Sequence, residues 1–509
     1  MKQFIITIFI TISSLSLFAQ DFNDALRYAD DNLQGTSRFQ AMGGAFGALG
    51  GDLSAFAHNP AGSAVYNYGQ FGISVINRGY SNNTLYTNSL NTSTDSNTDI
   101  NQIGFIVVLK SNGSSNPWNK ISFGFNYDQN SSFDNIWRGI GRNSESVSNY
   151  FISNAQSKPL NEISALEGET LNTAYSEIGY FYGQSHQQAF LGYESFIIDP
   201  IDNTDTNTQY VSNLGTGEFN QNYYDFGEGN SSRYTFNIGT QYKDKLQLGL
   251  NLNYHYFKYS NTVDLIENNS NADSRVTYIN FSNYLFTIGD GISLQIGGIY
   301  KVTESLRLGL NYKSPTWFTI EEQFQQSIST NGEYLDDNDD NLLPFTFSPN
   351  TINLFDPYNL RIPSTTTASA AYVFGEYGLL SIDYSYKDYS NLQFGPSNDP
   401  YFRDQNQLIS SIFKPTSTLR LGTEFRFQNL SVRGGYVFQE NPYKDKNILN
   451  NTNTYSFGFG YNLGASRIDF VLSTLSYDEN KLMKYSGIST PANIRTERTN
   501  FGISFIQNF

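Results

Sequence analysis

Cysteine is absent from the 509 residues, which excludes a disulfide framework and any thiolate metal site. Charge is scarce: Asp, Glu, Lys and Arg supply 15% of the chain, against about 25% in an ordinary soluble domain. Beyond the N-terminus no run of about 18 apolar residues occurs, which leaves no further candidate for a membrane-spanning helix. The three histidines, His58, His186 and His255, are scattered and lack metal-ligand spacing. There is no GxSxG, HExxH or P-loop. The chain is therefore read as no enzyme, with no cofactor and no metal. Basic residues are outnumbered, giving a formal net charge of −16, which argues against nucleic acid as a partner. The run Asp336-Asp337-Asn338-Asp339-Asp340 lacks the Gly and the distant Glu of a calcium loop and reads as a solvated acidic loop.

Aromatic residues are what the chain has in excess. They make up 16% of it, with 37 Tyr and 40 Phe. The first residues, 1–19, read as an export signal: Lys2 gives the positive end, Phe4 to Phe18 the apolar run, and Ala19 the small residue before cleavage. That apolar run is short for a spanning helix, which needs roughly 20 residues.

From Gln70 onward the pattern has a period of two. Ile121, Phe123, Phe125 and Tyr127 alternate with Ser122, Gly124 and Asn126. Leu246, Leu248, Leu250, Leu252, Tyr254 and Tyr256 form one face of another segment. Leu306, Leu308, Leu310 and Tyr312 repeat it, as do Tyr455, Phe457, Phe459 and Tyr461. Apolar residues on one face and Gly, Ser or Asn on the other fit a wall between lipid and a wet lumen. Fourteen such segments are expected, near 69–78, 101–110, 119–128, 232–242, 245–257, 291–301, 306–314, 366–374, 378–388, 417–427, 430–438, 454–463, 466–474 and 499–509. Short links such as Lys243-Asp244 and Gln428-Asn429 alternate with long polar ones at 81–99, 129–231, 259–290, 325–364, 390–416, 439–453 and 475–498. That asymmetry belongs to short inner turns and long external loops. Tyrosines end the segments at both levels, as aromatic belts do. The expected fold is all-β, a 14-stranded antiparallel transmembrane β-barrel over 69–509 whose largest external loop is 129–231.

The stretch Ser37 to Val65 stands apart. It is too rich in Gly and Ala for strand, yet Met42, Phe46, Leu49, Leu53 and Phe56 are too apolar for a linker. Asp52 is placed to cap a helical turn, and Asn59 to cap another with Pro60 in its first position. Residues 20–68 are expected to form a small plug, or hatch, inside the barrel, with Gly43, Gly44, Asp52, Asn59, Pro60, Ala61 and Gly62 as its gating elements.

A plug carrying Asn59-Pro60-Ala61-Gly62 ahead of fourteen strands resembles the FadL/TodX family of outer-membrane transporters for hydrophobic compounds, in a Bacteroidetes-type form. Gly44-Ala45, Gly47-Ala48 and Asp52 match as well. The strand Leu306 to Tyr312 with Lys313-Ser314-Pro315 looks like the family's Tyr-x-Ser-Pro element. Gly51 stands where many members carry a second acidic residue, and the loop 129–231 is unusually long. The resemblance implies a multi-pass protein of the Gram-negative cell outer membrane. It would take up hydrophobic small molecules, long-chain fatty acids or aromatic hydrocarbons, through an external groove. Release would be lateral, through the barrel wall, with an opening expected near Gly124 to Asp128. The alternative is a structural or secretion-associated barrel with a protein partner at its external loops. Outer-membrane lipids are partners in either case, and the C-terminal Phe509 is the expected signal to the barrel-assembly machinery.

Two sets of side chains are singled out. Phe133, Ile136, Trp137 and Ile140, with Val147, Tyr150 and Phe151, fall at helical spacing in the long loop, and Phe345 and Phe347 form a second apolar group. These are groove candidates, or else they pack on the barrel rim. Arg420, Glu424, Arg426, Arg433 and Arg467 fall on the lumen face of late strands. Buried charge needs partners, so they either brace wall and plug or leave Arg to bind a ligand carboxylate.

Overall fold

The computed structural model describes residues 22–29, 32–110, 117–334 and 342–509. The export signal at 1–19 and the acidic run at 336–340 lie outside the described residues. Fourteen antiparallel strands form a closed barrel. Each wall strand pairs with the next, and the last, Ala492–Asn508, returns to pair with the first, Gln70–Tyr86. Closure leaves no unpaired edge, the one way a sheet survives in lipid.

The lipid face is the apolar set of the period-two pattern. Leu250, Leu252, Ile292, Leu294, Leu310, Phe457 and Phe501 all stand exposed along the outside. Rings gather at both ends of this band. Tyr127, Tyr234 and Tyr254 neighbour one another at one end, with centroids 5.2 and 6.0 Å apart. Trp118 and Tyr242 pair at 4.9 Å at the other. The lumen face is polar and bonded to itself: Asn237 donates to Asn251 at 2.6 Å, Asn251 to Gln295 at 3.2 Å, and Thr235 to Asn253 at 2.9 Å.

Strands run well past the membrane on the long-loop side. Phe219–Tyr242 and Tyr278–Lys301 each have 24 residues, where about ten suffice to cross. Several links expected to be loops are therefore strand. The stretch 81–99 is a tight hairpin: Gln70–Tyr86 and Ser89–Lys110 meet at Thr87-Asn88, both at positive φ, as a two-residue turn requires. Within the hairpin, residues 94–98 are exposed on both faces, so Ser, Thr and Asn serve on either side and the apolar alternation disappears. The helical spacing read over Phe133 to Ile140 is also corrected. Asn135–Asn143 is a strand laid against Phe219–Tyr242, and Trp137 alternates with exposed Arg138 rather than recurring every third or fourth residue. Downstream, Ser148–Ala155 is helical and carries Tyr150 and Phe151.

Two wall strands are interrupted. Leu306–Lys313 continues as Thr316–Tyr334 past Ser314-Pro315, and Tyr358–Ile362 continues as Thr365–Val373 past Pro363-Ser364. By contrast, the strand Trp118–Ser132 is laddered on both sides from Lys120 to Asp128. The expected opening near Gly124 to Asp128 is thus closed here; the register slips on either side of it, between Trp118 and Lys120 and between Gln129 and Ser131.

Candidate functional site: plug, lumen cavity and aromatic chamber

The plug is built from short capped turns. Thr36 accepts from the Phe39 amide over helix Ser37–Ala41, Asp52 from the Ser54 amide over Leu53–His58, and Asn59 from the Ala61 amide over the 3-10 turn Pro60–Val65. Pro60 occupies a first-turn position whose missing N–H costs nothing. Nearly all of 35–64 is buried.

The turns seat directly on the wall. Asn251 donates to the Phe56 carbonyl at 2.9 Å, Gln295 to that of His58 at 2.6 Å, and Asn237 to that of Pro60 at 3.0 Å. Asp383 accepts from the Gly47 amide and meets His58 Nε2, both at 2.9 Å. Two glycine contacts show how close the fit is. A Cβ on Gly249 would lie 2.2 Å from the Pro60 carbonyl carbon, and one on Gly435 2.2 Å from the Gly43 amide nitrogen. Gly43 and Gly44 themselves hold positive φ, open to Gly at little cost. Inward wall glycines were not separable in the sequence from those that merely alternate with lipid-facing rings; the phase that puts Gly249 and Gly435 inward was the available signal.

A buried charge chain locks one side of this joint. Glu424 accepts from Arg38 of the plug at 2.8 Å and from Arg433 and Arg426 at 2.7 Å each. Arg433 also reaches Asp469 at 2.7 Å, and Arg467 meets the same carboxylate at 2.7 Å. Four of the five expected lumen charges thus come together, joined by Arg38 and Asp469. Arg420 lies apart and donates to Ser385 at 3.0 Å. The alternative in which these residues brace wall and plug is the arrangement found for Arg433 and Glu424, which are 2% and 1% exposed.

Above the plug the lumen holds a cavity of about 130 Å³. Its walls include His58, Asp128, Arg233, Lys313, Lys387 and Arg420. Farther out lies an aromatic chamber, filled by its own packed side chains. Phe133, Phe257, Tyr259, Phe318 and Tyr358 cluster there, and helix Phe22–Ala29 lies among them. Tyr28 stacks on Phe257 at 4.1 Å and meets Phe133 edge-on at 5.9 Å; the Arg27 guanidinium sits 4.3 Å over the Tyr259 ring.

The external loops fold over this end as a packed layer. Trp137, Tyr150, Phe151, Phe190, Tyr223 and Phe347 share its core, with Phe345 at its margin. The groove candidates are accordingly split. Phe133 belongs to the aromatic chamber, Trp137 and Phe347 to the outer core, and Ile136 and Ile140 are half-buried on the strand between. In the same layer Asp225 accepts from Asn261 at 2.7 Å and faces Lys481 at 3.7 Å. Burial pushes the Asp225 carboxyl up, but Lys481 and Lys484 more than offset this and hold it at about 2. Among the described residues, no group of three or more His, Cys, Asp or Glu is placed to hold a metal ion.

No protein-family model matches the chain, and no curated protein matches it. Solved structures do. A Pseudomonas aeruginosa FadL homologue aligns at 11% identity with a TM-score of 0.55, over 94% of this chain and 99% of that one. The Pseudomonas putida toluene transporter TodX aligns at 14% identity with a TM-score of 0.50, again over 94% and 99%. At these identities the likeness speaks to architecture, and it spans 94% of the chain. The chain has the fold of the FadL and TodX outer-membrane barrels.

Proposed function

We propose that the chain is an outer-membrane channel for hydrophobic small molecules in a Gram-negative bacterium. Ligand is captured at the external end, passes the aromatic chamber and leaves sideways through the wall. Residues 20–68 act as the plug domain and 69–509 as the barrel, with the outer-membrane lipids as its surroundings and Phe509 as the assembly signal. The observation that carries this reading is the seating of the plug across the lumen. Asn237, Asn251 and Gln295 on three neighbouring strands donate to it, and Asp383 on a more distant strand accepts from it. An open porin needs a continuous wet lumen, and a plug so mounted opposes one. The packed rings around Tyr28 make that end of the lumen apolar instead. TodX is described as a toluene transporter, and toluene is the natural first probe.

The test is uptake of radiolabelled toluene by cells lacking other hydrocarbon channels, with and without the chain. Faster uptake with the chain is the expected result. Uptake equal to that of empty cells, together with porin-sized ion conductance, would overturn it.

A partner-bound barrel remains the second reading, and one observation favours it. Tyr180, Phe181 and Tyr182 end helix Leu171–Tyr182 at 85%, 69% and 48% exposure. Three consecutive exposed rings on the external layer suit a protein contact. Crosslinking in intact cells from position 181 tests it: a single stoichiometric protein adduct supports the partner, and lipid adducts alone count against it.

A further inference from the structure

We infer that the wall opens at a proline seam between the strand pieces around Ser314-Pro315 and Pro363-Ser364, an inference that rests on the channel reading above. The two strands pair as Lys313↔Thr365 on one side of the break and Thr316↔Ile362 on the other. Unchanged register sets Ser314 against Ser364 and Pro315 against Pro363, and neither couple is paired. Proline has no N–H to give a ladder and belongs at edges or irregularities. Two prolines facing each other therefore remove both donors from one rung.

The neighbouring ladder is disturbed at the same height. Lys313 pairs with Gln295, but Trp317 pairs with Ile292, a slip of one residue across Ser314 to Thr316. The Ser314 amide and hydroxyl are both turned to that side, bonding Leu294 at 2.8 and 2.9 Å. Ser314 thus bonds away from the seam, as alternate residues of an antiparallel ladder do, and the rung that is lost is that of Pro315 and Pro363.

The wall is also hollowed from both faces here. Thr365 and Thr367 line the lumen cavity, while Pro363, Ser364 and Thr366 line an outer hollow with Tyr386. Alternate residues of one strand separate the two spaces. Exposed Tyr312, Trp317 and Tyr386 flank the break on the outside, which sets it at the aromatic belt where lipid begins. A ligand parting the strands there would meet an apolar environment within one strand thickness, at the cost of few backbone hydrogen bonds.

The absence of cysteine makes the test clean. Ser314→Cys with Ser364→Cys joins the opposed positions, where cross-strand Cβ spacing suits a disulfide. Leu472→Cys with Phe501→Cys, a paired couple on the lipid face elsewhere in the barrel, is the control. Pro315→Val with Pro363→Val restores the donors without a crosslink. Each is assembled in cells and assayed for uptake of radiolabelled toluene, with heat-modifiable gel mobility reporting a closed barrel. The expected result is loss of uptake in the oxidised seam pair, recovery on reduction, no loss in the control, and slowed uptake in the valine pair. Undiminished uptake in both the crosslinked seam and the valine pair overturns the seam while leaving the channel reading standing. Equal loss in the control also overturns it. No uptake by the unsubstituted chain removes the channel reading and the seam together.

Discussion

Arg433 bridges two carboxylates, and its removal would leave Glu424 to Arg38 and Arg426, and Asp469 to Arg467. A hydrogen bond to a charged group contributes about 1.5–3 kcal/mol, and two are lost. Arg433→Ala is therefore expected to lower the urea midpoint of the folded barrel in lipid vesicles, and Glu424→Leu, which strands the buried Arg38, to lower it further. Asp225 gives a pH signature in the external layer. Its carboxyl is held at about 2, below the usual carboxylate value near 3.9. A depressed pKa contributes stability above the unfolded value and loses it as pH falls toward the folded one, here between about pH 4 and pH 2. The size is about 2 kcal/mol at 4% exposure. Proteolysis of the external layer should rise across that window, and Asp225→Asn should flatten the rise. Trp137 is fully buried, so an acidic substitution there would break the outer core rather than probe a groove; Phe133→Ala is the gentler test of the chamber.

At the scale of elements, helix Phe22–Ala29 is the segment whose removal should tell most. Its Ala25, Tyr28 and Ala29 fill the aromatic chamber. Tyr28→Ala is expected to loosen it, giving faster protease cleavage ahead of the plug and stronger binding of an apolar fluorophore to the vacated rings. Wild-type fluorescence unchanged by the substitution would show that the chamber does not open. The wall strands were readable from sequence because lipid and water impose opposite demands on alternate residues, as in Leu246 to Tyr256. The plug was readable because Asn59-Pro60 and Asp52 carry local capping chemistry. The strand extensions were not, since Thr94 to Thr98 face water on both sides and no alternation marks them. Nor was the Arg38–Glu424 contact, which joins residues 386 positions apart and is specified by barrel closure rather than by neighbours. The chamber was half legible: Phe133 stood out as apolar, but its partner Phe257 fell at the end of an expected strand and Phe318 in no expected element.

For the molecule as a whole, the seated plug predicts low ion conductance in planar bilayers. Asp383→Ala removes the acceptor shared by Gly47 and His58 and should raise conductance in brief openings. A steady, large conductance in the unsubstituted chain would contradict the mounting described above. The same plug also binds the end of the chain. The Ser37 amide donates to Ser504 at 2.7 Å across 467 positions, and Arg38 reaches Glu424. The segment made first therefore has no finished seat until the strands made last are in place. Docking of the plug becomes a late event in assembly, coupled to closure of Ala492–Asn508 onto Gln70–Tyr86. Contacts of such long sequence separation form slowly because loop entropy is spent before they repay it. A chain halted before its last strand would thus hold an unstoppered, open-edged sheet, a form that a cell has reason to degrade rather than release into its envelope.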